Sequence, residues 1–292
     1  MTTTPHVAWI GLGAMGGPMA LATAAAGMPV TAFDVLPASL KAVAPKIKAA
    51  CSAREAVAGA DVIAIMVATG DQLHSVLFGE EGIASDLSED TVVLIMATVG
   101  PKAIEDAVQG LDGTGIRIVD APVSGGVARA MTGELLMMVG GRESDVAAVQ
   151  PLLNAMASNA PIVGKRPGDG QRFKIVNQLL CGVHIAAAGE ALALADSMGL
   201  DLSQVHDVLG TGAAASFMFG DRGQRMVDGA FDDVRSALDI FVKDMGLVGE
   251  AAREVYQQVP LAATAEQLYI RGHREGVGRK DDSIVYKLLR GQ

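Results

Sequence analysis

Five short apolar runs, rich in β-branched residues, punctuate the first part of the chain: Val7–Gly11, Val30–Asp34, Val62–Val67, Val92–Met96 and Ile116–Asp120. Between them lie stretches with helical spacing, such as Met15–Ala26 and Lys102–Val108. Short runs of this kind suit strands buried on both faces. Parallel neighbours need a crossover, and a helix supplies it. The pattern therefore predicts an α/β, doubly wound (Rossmann-type) N-terminal domain with a parallel sheet. A further run at Leu135–Val139, a helix over Glu143–Met156 and an edge strand at Pro161–Val163 complete it.

The character changes at Lys165-Arg166-Pro167-Gly168, after which no strand is expected. Gly170–Met198 reads as one long helix of about 29 residues, roughly 43 Å at ~1.5 Å per residue. Shorter helices follow at roughly 203–209, 215–228, 236–255 and 260–275. The expected domains are 1–165 and 166–292, the long helix joining the first to an all-α C-terminal domain. With 35 glycines and only 4% aromatic residues, the chain favours closely packed helices over an aromatic-lined sandwich.

A formal net charge of −10 argues against a nucleic-acid partner or an anionic membrane surface, both of which need a broad basic face. Cys51 and Cys181 are too few and too far apart for a disulfide framework or a metal site, and no His/Cys/carboxylate cluster has ligand spacing. The N-terminus lacks a signal-peptide pattern, and polar residues interrupt every apolar stretch before ~20 residues. A soluble, cytoplasmic protein without a metal is expected.

Gly11-Leu12-Gly13-Ala14-Met15-Gly16 fits G-x-G-x-x-G directly between a strand and a helix. The first glycine permits the tight turn, the second lets a pyrophosphate approach the backbone, and the third lets the helix pack against the strand. Free N–H groups at the helix start then face the phosphates. Asp34 closes the second strand, where its carboxylate can accept from the adenosine ribose hydroxyls and repel a 2′-phosphate. Val35, Leu36 and Pro37 follow with no arginine, so NAD is expected over NADP.

These residues resemble the 3-hydroxyisobutyrate dehydrogenase family of β-hydroxyacid dehydrogenases. The opening Gly11–Ala20 segment resembles its cofactor signature. Asp120-Ala121-Pro122-Val123-Ser124-Gly125-Gly126, with Ala130, Gly133, Leu135 and Gly140-Gly141 after it, resembles its substrate signature. Gly168-x-Gly170-x-x-x-Lys174-x-x-Asn177 resembles its catalytic segment, and Lys243-Asp244 the motif closing over the nicotinamide. Gln178–Ala188, Ser216–Arg222 and Asp239–Asp244 are similar to the L-threonate dehydrogenase branch, which acts on four-carbon sugar acids with NAD. Two positions depart from the family's habit: Ala97-Thr98 where Ser-Thr is common, and Asn177-Gln178 where two asparagines are common.

On a helix, Lys174, Asn177 and Gln178 share one face, and Cys181 continues the stripe. An amine so placed can move a proton to or from a substrate oxygen as hydride moves, a role that partial desolvation favours. A lone lysine here would otherwise read as a surface group, so the flanking motif carries the assignment. Ser124, Gly125 and Gly126 follow a strand, where hydroxyl and backbone N–H groups can converge on a substrate carboxylate. Asn177 and Gln178 are expected to bond the substrate hydroxyls. Thr98 is expected at the nicotinamide ribose, while the resemblance implies that Val67, Ala68 and Lys243 also line the cofactor.

The expected activity is NAD-dependent oxidation of a small hydroxy acid, most simply a sugar acid such as L-threonate. Alternatives are a 3-hydroxyisobutyrate dehydrogenase, a tartronate semialdehyde reductase, an imine reductase or a non-catalytic NAD-binding module. The apolar, Ala-rich helical half is expected to form a homodimer or homotetramer.

Overall fold

The computed structural model describes residues 4–291. Its first half runs β1 (Val7–Ile10), α1 (Gly16–Ala25), β2 (Val30–Phe33), α2 (Pro37–Val43), β3 (Lys48–Ala49), α3 (Ala53–Val57), β4 (Val62–Ile65) and α4 (Gly70–Phe78). It continues through β5 (Val92–Ile95), α5 (Pro101–Gly110), β6 (Arg117–Asp120), β7 (Val123–Ser124), α6 (Gly126–Thr132), β8 (Leu135–Met137) and β9 (Val139–Gly140). Then come α7 (Glu143–Met156), β10 (Ala157–Asn159) and β11 (Ile162–Gly164).

Eight strands form one sheet in the order β11-β9-β6-β5-β4-β1-β2-β3, parallel except where β9 meets β6. Alternate strand residues feed two cores. Val7, Trp9, Val62, Ala64 and Leu94 pack with Met19, Val149 and Leu153 on one face. Ala8, Ile10, Ile63, Ile65 and Val93 pack with Leu73, Leu77 and Ile104 on the other. Both faces are covered, which is why the strands read as continuous apolar runs. Trp9, the chain's one tryptophan, is fully buried, and its Nε1 donates to the Gly11 carbonyl at 3.0 Å. From β1 the chain leaves one way to β2 and β3, then returns to β4 on the other side of β1. That reversal opens a crevice at the strands' carboxyl ends.

The run at Leu135–Val139 is two strands, not one. β8 joins β7 and β10 in a three-stranded sheet, whereas β9 belongs to the large sheet. At the change, Met138 N donates to Pro122 O at 3.1 Å. The small sheet sets the position of Ser124, which pairs with Leu136.

The second half runs α8 (Asp169–Ser197), α9 (Leu202–Leu209), α10 (Phe217–Asp228), α11 (Leu238–Glu254), α12 (Pro260–Arg274) and α13 (Val285–Arg290). Among the described residues no strand follows β11, only a single bridge between Ala237 and Asp281. Two compact units divide within α8, between Lys174 and Ile175. The second has its own core, with Ile185, Leu192, Phe241, Met245, Tyr269 and Leu288. Arg225 pairs with fully buried Asp281 at 2.9 Å and Arg222 with fully buried Asp282 at 3.0 Å, fixing the turn before α13. By length and composition α8 is apolar enough to cross a membrane, contrary to the expectation that no stretch would be. Three of its polar side chains, Gln171, Lys174 and Gln178, are nonetheless buried within the protein.

Candidate active site

The turn after β1 is built as the glycine spacing requires. Gly11 has φ +93°, and a Cβ there would stand 2.2 Å from Met66 O. A Cβ on Gly16 would stand 2.1 Å from Gly11 O, so helix and turn touch backbone to backbone. Gly13 differs: nothing lies within 4 Å of its Cβ position. The open side of the loop is thus where a phosphate can approach. No side chain caps the start of α1, where Gly17 N bonds Gly13 O and Met19 N bonds Met15 O, so the amides before Gly17 are the ones an anion can reach. Asp34, half-buried just beyond β2, accepts from Leu12 N at 2.6 Å and from Leu36 N at 2.7 Å. Each carboxylate oxygen keeps a further lone pair for a ribose hydroxyl. This donor and acceptor set fits a dinucleotide.

Three more of the expected cofactor residues follow strands of the same sheet. Val67 and Ala68 follow β4, with Ala68 N donating to Gln72 Oε1 at 2.8 Å, and Thr98 follows β5, half-buried. Ser124 ends β7, and Gly125 and Gly126 take φ +133° and +71° at the start of α6. Lys174 is only 6% exposed on α8.

Two residues without an assigned role from sequence hold the turn of α8 that precedes Lys174. Asp120, fully buried at the end of β6, accepts from Gly168 N and Gln171 N, both at 2.7 Å. Burial pushes its carboxyl up to about 7, against the opposing pull of those amides. Gln171, also fully buried, bonds the backbone of Ala97, Val99 and Gly100. A carboxylate closing an apolar strand was a visible signal for Asp120; nothing in the sequence marked Gln171.

In the second unit a polar chain links three expected residues through a fourth. Asn177 Nδ2 donates to Gln178 Oε1 at 2.7 Å, and Gln178 Nε2 donates to Asp244 Oδ2. Asp244, 2% exposed, pairs through Oδ1 with Lys243 Nζ at 2.7 Å. Lys243 on α11 is therefore joined to the amides of α8, while the phosphate loop belongs to the other unit. In the sequence Asp244 belonged to the Lys243-Asp244 motif, with no link to Gln178 expected.

Residues 6–164 match the family model described as the NAD binding domain of 6-phosphogluconate dehydrogenase. Residues 168–289 match that described as NAD-binding of NADP-dependent 3-hydroxyisobutyrate dehydrogenase. An L-threonate dehydrogenase of Haemophilus influenzae is 38% identical over 291 residues, covering 98% of this chain and 95% of that protein. One from Escherichia coli O6:H1 is 37% identical over 290 residues, with 98% and 95% covered. A crystal structure of 3-hydroxyisobutyrate dehydrogenase from Salmonella typhimurium matches with a TM-score of 0.90 at 38% identity, covering 97% of this chain and 99% of that one.

Proposed function

The chain belongs to the 3-hydroxyisobutyrate dehydrogenase family and is a hydroxy-acid dehydrogenase using an NAD-type cofactor; from that premise we propose that it oxidises a four-carbon sugar acid such as L-threonate. The observation that carries the reading is a buried lysine on the helical face that also holds two side-chain amides, Asn177 and Gln178. Likeness to L-threonate dehydrogenases along 98% of the chain supports the substrate class.

In this reading residues 1–165 bind the dinucleotide, and 166–292 contribute the catalytic lysine and oligomer contacts. Gly11, Leu12, Gly13, Ala14, Met15 and Gly16 form the loop that cradles its phosphates, and since Gly11 N and Leu12 N are bonded to Phe33 O and Asp34, the N–H groups past Leu12 face them. Asp34 takes the adenosine ribose, which favours NAD over NADP. Val67, Ala68, Thr98 and Lys243 line the rest of its path. The chemistry that a bound dinucleotide would supply is a hydride acceptor. Ser124 and the amides of Gly125 and Gly126 hold the substrate carboxylate. Asn177 and Gln178 hold its hydroxyls, and Lys174 Nζ takes the proton from the hydroxyl being oxidised. Exposed apolar side chains on α8 and just after it, among them Val176, Leu180, Leu194 and Leu200, support a homodimer or homotetramer. No disulfide joins Cys51 and Cys181 among the described residues, which supports a reducing, cytoplasmic setting.

The test is a panel of L-threonate, D-erythronate, 3-hydroxyisobutyrate and glycerate with NAD, beside the Lys174→Ala variant. L-Threonate should give the highest kcat/KM. Lys174→Ala should keep dinucleotide affinity and lose roughly 10²–10⁴-fold in turnover, the scale of a missing general acid/base. A wild-type preference for 3-hydroxyisobutyrate defeats the substrate assignment and leaves the dehydrogenase standing. Light scattering of the purified protein decides the oligomer.

A further inference from the structure

The first turn of an α-helix leaves its N–H groups without intrahelical partners, and a neighbouring Ser, Thr, Asp or Asn usually takes them. In α8 the nearby carboxylate, Asp169, is engaged instead with Arg172 at 2.7 Å and with Arg166 N at 3.1 Å. The acceptor for Gly168 N and Gln171 N is Asp120, from the end of β6. Between them Gly170 admits no side chain, since a Cβ would stand 2.2 Å from Met138 O and 2.8 Å from Asp120 Oδ2. The helix start is thus pressed onto strand ends by backbone contact and tied there by a carboxyl group.

One residue later in the same turn, Gln171 uses its whole side-chain amide on the loop after β5. Its Oε1 accepts from Val99 N and Gly100 N, both at 3.1 Å, and its Nε2 donates to Ala97 O at 2.9 Å. The bonds fall on both sides of Thr98. Lys174 follows Gln171 by three residues, under one helical turn.

We propose that Asp120 and Gln171 are positioning residues for Lys174, locking the first turn of α8 and the Thr98 loop into one rigid piece. The proposal rests on Lys174 being the acid/base. Neither residue has to touch substrate; both act by holding the amine and the Thr98 loop at a fixed separation. Misplacement by ~1 Å can slow an enzyme by ~100-fold, so the effect belongs in turnover more than in binding.

The test compares wild type, Gln171→Ala, Asp120→Asn, Lys174→Ala and the Gln171→Ala/Lys174→Ala double variant, with NAD and the best acid of the panel above. Gln171→Ala should lower kcat by roughly 10–100-fold, with both KM values changed by less than about 3-fold. Asp120→Asn keeps its size and one acceptor and should lose less. In the Lys174→Ala background Gln171→Ala should slow turnover by no more than about 2-fold, because a residue that acts through the lysine has nothing left to position. Without NAD, hydrogen exchange at the Val99 and Gly100 amides should quicken in Gln171→Ala and stay unchanged in Lys174→Ala. Should Gln171→Ala fail to fold, Gln171→Met fills the same space without the amide and takes its place in the same comparison. A lower urea midpoint with unchanged kcat per folded molecule would reduce Gln171 to a structural part and overturn the proposal. Losses that multiply in the double variant would overturn it too. Normal turnover by Lys174→Ala alone would overturn the acid/base reading, and with it the positioning.

Discussion

In the proposed reading Asp34 has two jobs with one carboxylate, because the oxygen that would meet a ribose hydroxyl already anchors Leu12 N in the phosphate loop. Asp34→Ala should therefore narrow the preference for NAD over NADP from both sides. Hydrogen bonds to a charged group contribute about 1.5–3 kcal/mol each, so kcat/KM with NAD should fall roughly 10- to 100-fold. Efficiency with NADP should fall less, since repulsion of its 2′-phosphate disappears; equal wild-type efficiency with both cofactors would sink the assignment. Gln178 is similarly double-ended, receiving from Asn177 and donating to nearly inaccessible Asp244. Gln178→Leu should shrink the preference for L-threonate over 3-hydroxyisobutyrate by about 5- to 150-fold, the kinetic equivalent of one unsatisfied polar group at ~1–3 kcal/mol. The bond to Asp244 adds a consequence for folding. The same variant should lose about 1–3 kcal/mol in urea denaturation, through the partner left behind.

At the scale of elements, the β1–turn–α1 unit separates what a glycine does for folding from what it does for a ligand. Gly16→Ala drives a Cβ into the Gly11 carbonyl and should destabilise the protein by about 1–3 kcal/mol or more. Gly13→Ala meets nothing and should melt like wild type while weakening dinucleotide binding. Thermal melting and calorimetric titration of the two variants check the contrast; a normal melt for Gly16→Ala would contradict the packing. The same unit explains what was legible in the sequence. Strands such as Val92–Ile95, buried on both faces, announce themselves as apolar runs, and the glycine spacing announces the turn. Lys48–Ala49 forms an edge strand of two exposed residues and carries no such signal. Leu135–Val139 reads as one run because a change of sheet needs no break in hydrophobicity. The positions of Lys174 and its amides were legible from spacing along one helix. Asp120 with Gln171 and Gln178 with Asp244 were not, because those bonds join residues 51 and 66 positions apart, which only the tertiary fold brings together.

For the whole molecule, net charge of −10 coexists with an interior acid that prefers its proton. Asp120 sits near 7 when folded against an ordinary value of 3.8, because burial outweighs its amide partners. A carboxyl raised on folding stabilises the native state below its unfolded value, and that contribution is lost as pH climbs toward the folded one. Urea stability should therefore decline between about pH 4 and 7, by on the order of 4 kcal/mol from this group at ~1.36 kcal/mol per pKa unit. Asp120→Asn should flatten that part of the profile, costing more stability at pH 5 than at pH 8; an unchanged slope would contradict the assignment. The buried indole of Trp9 gives the whole molecule an optical property as well. Its N–H is bonded to the carbonyl of Gly11, at the turn where the phosphates are proposed to sit. With no second tryptophan to blur the signal, intrinsic emission should follow cofactor occupancy without a label, even in variants that turn nothing over; emission unchanged at saturating NAD would show that the indole does not sense the loop.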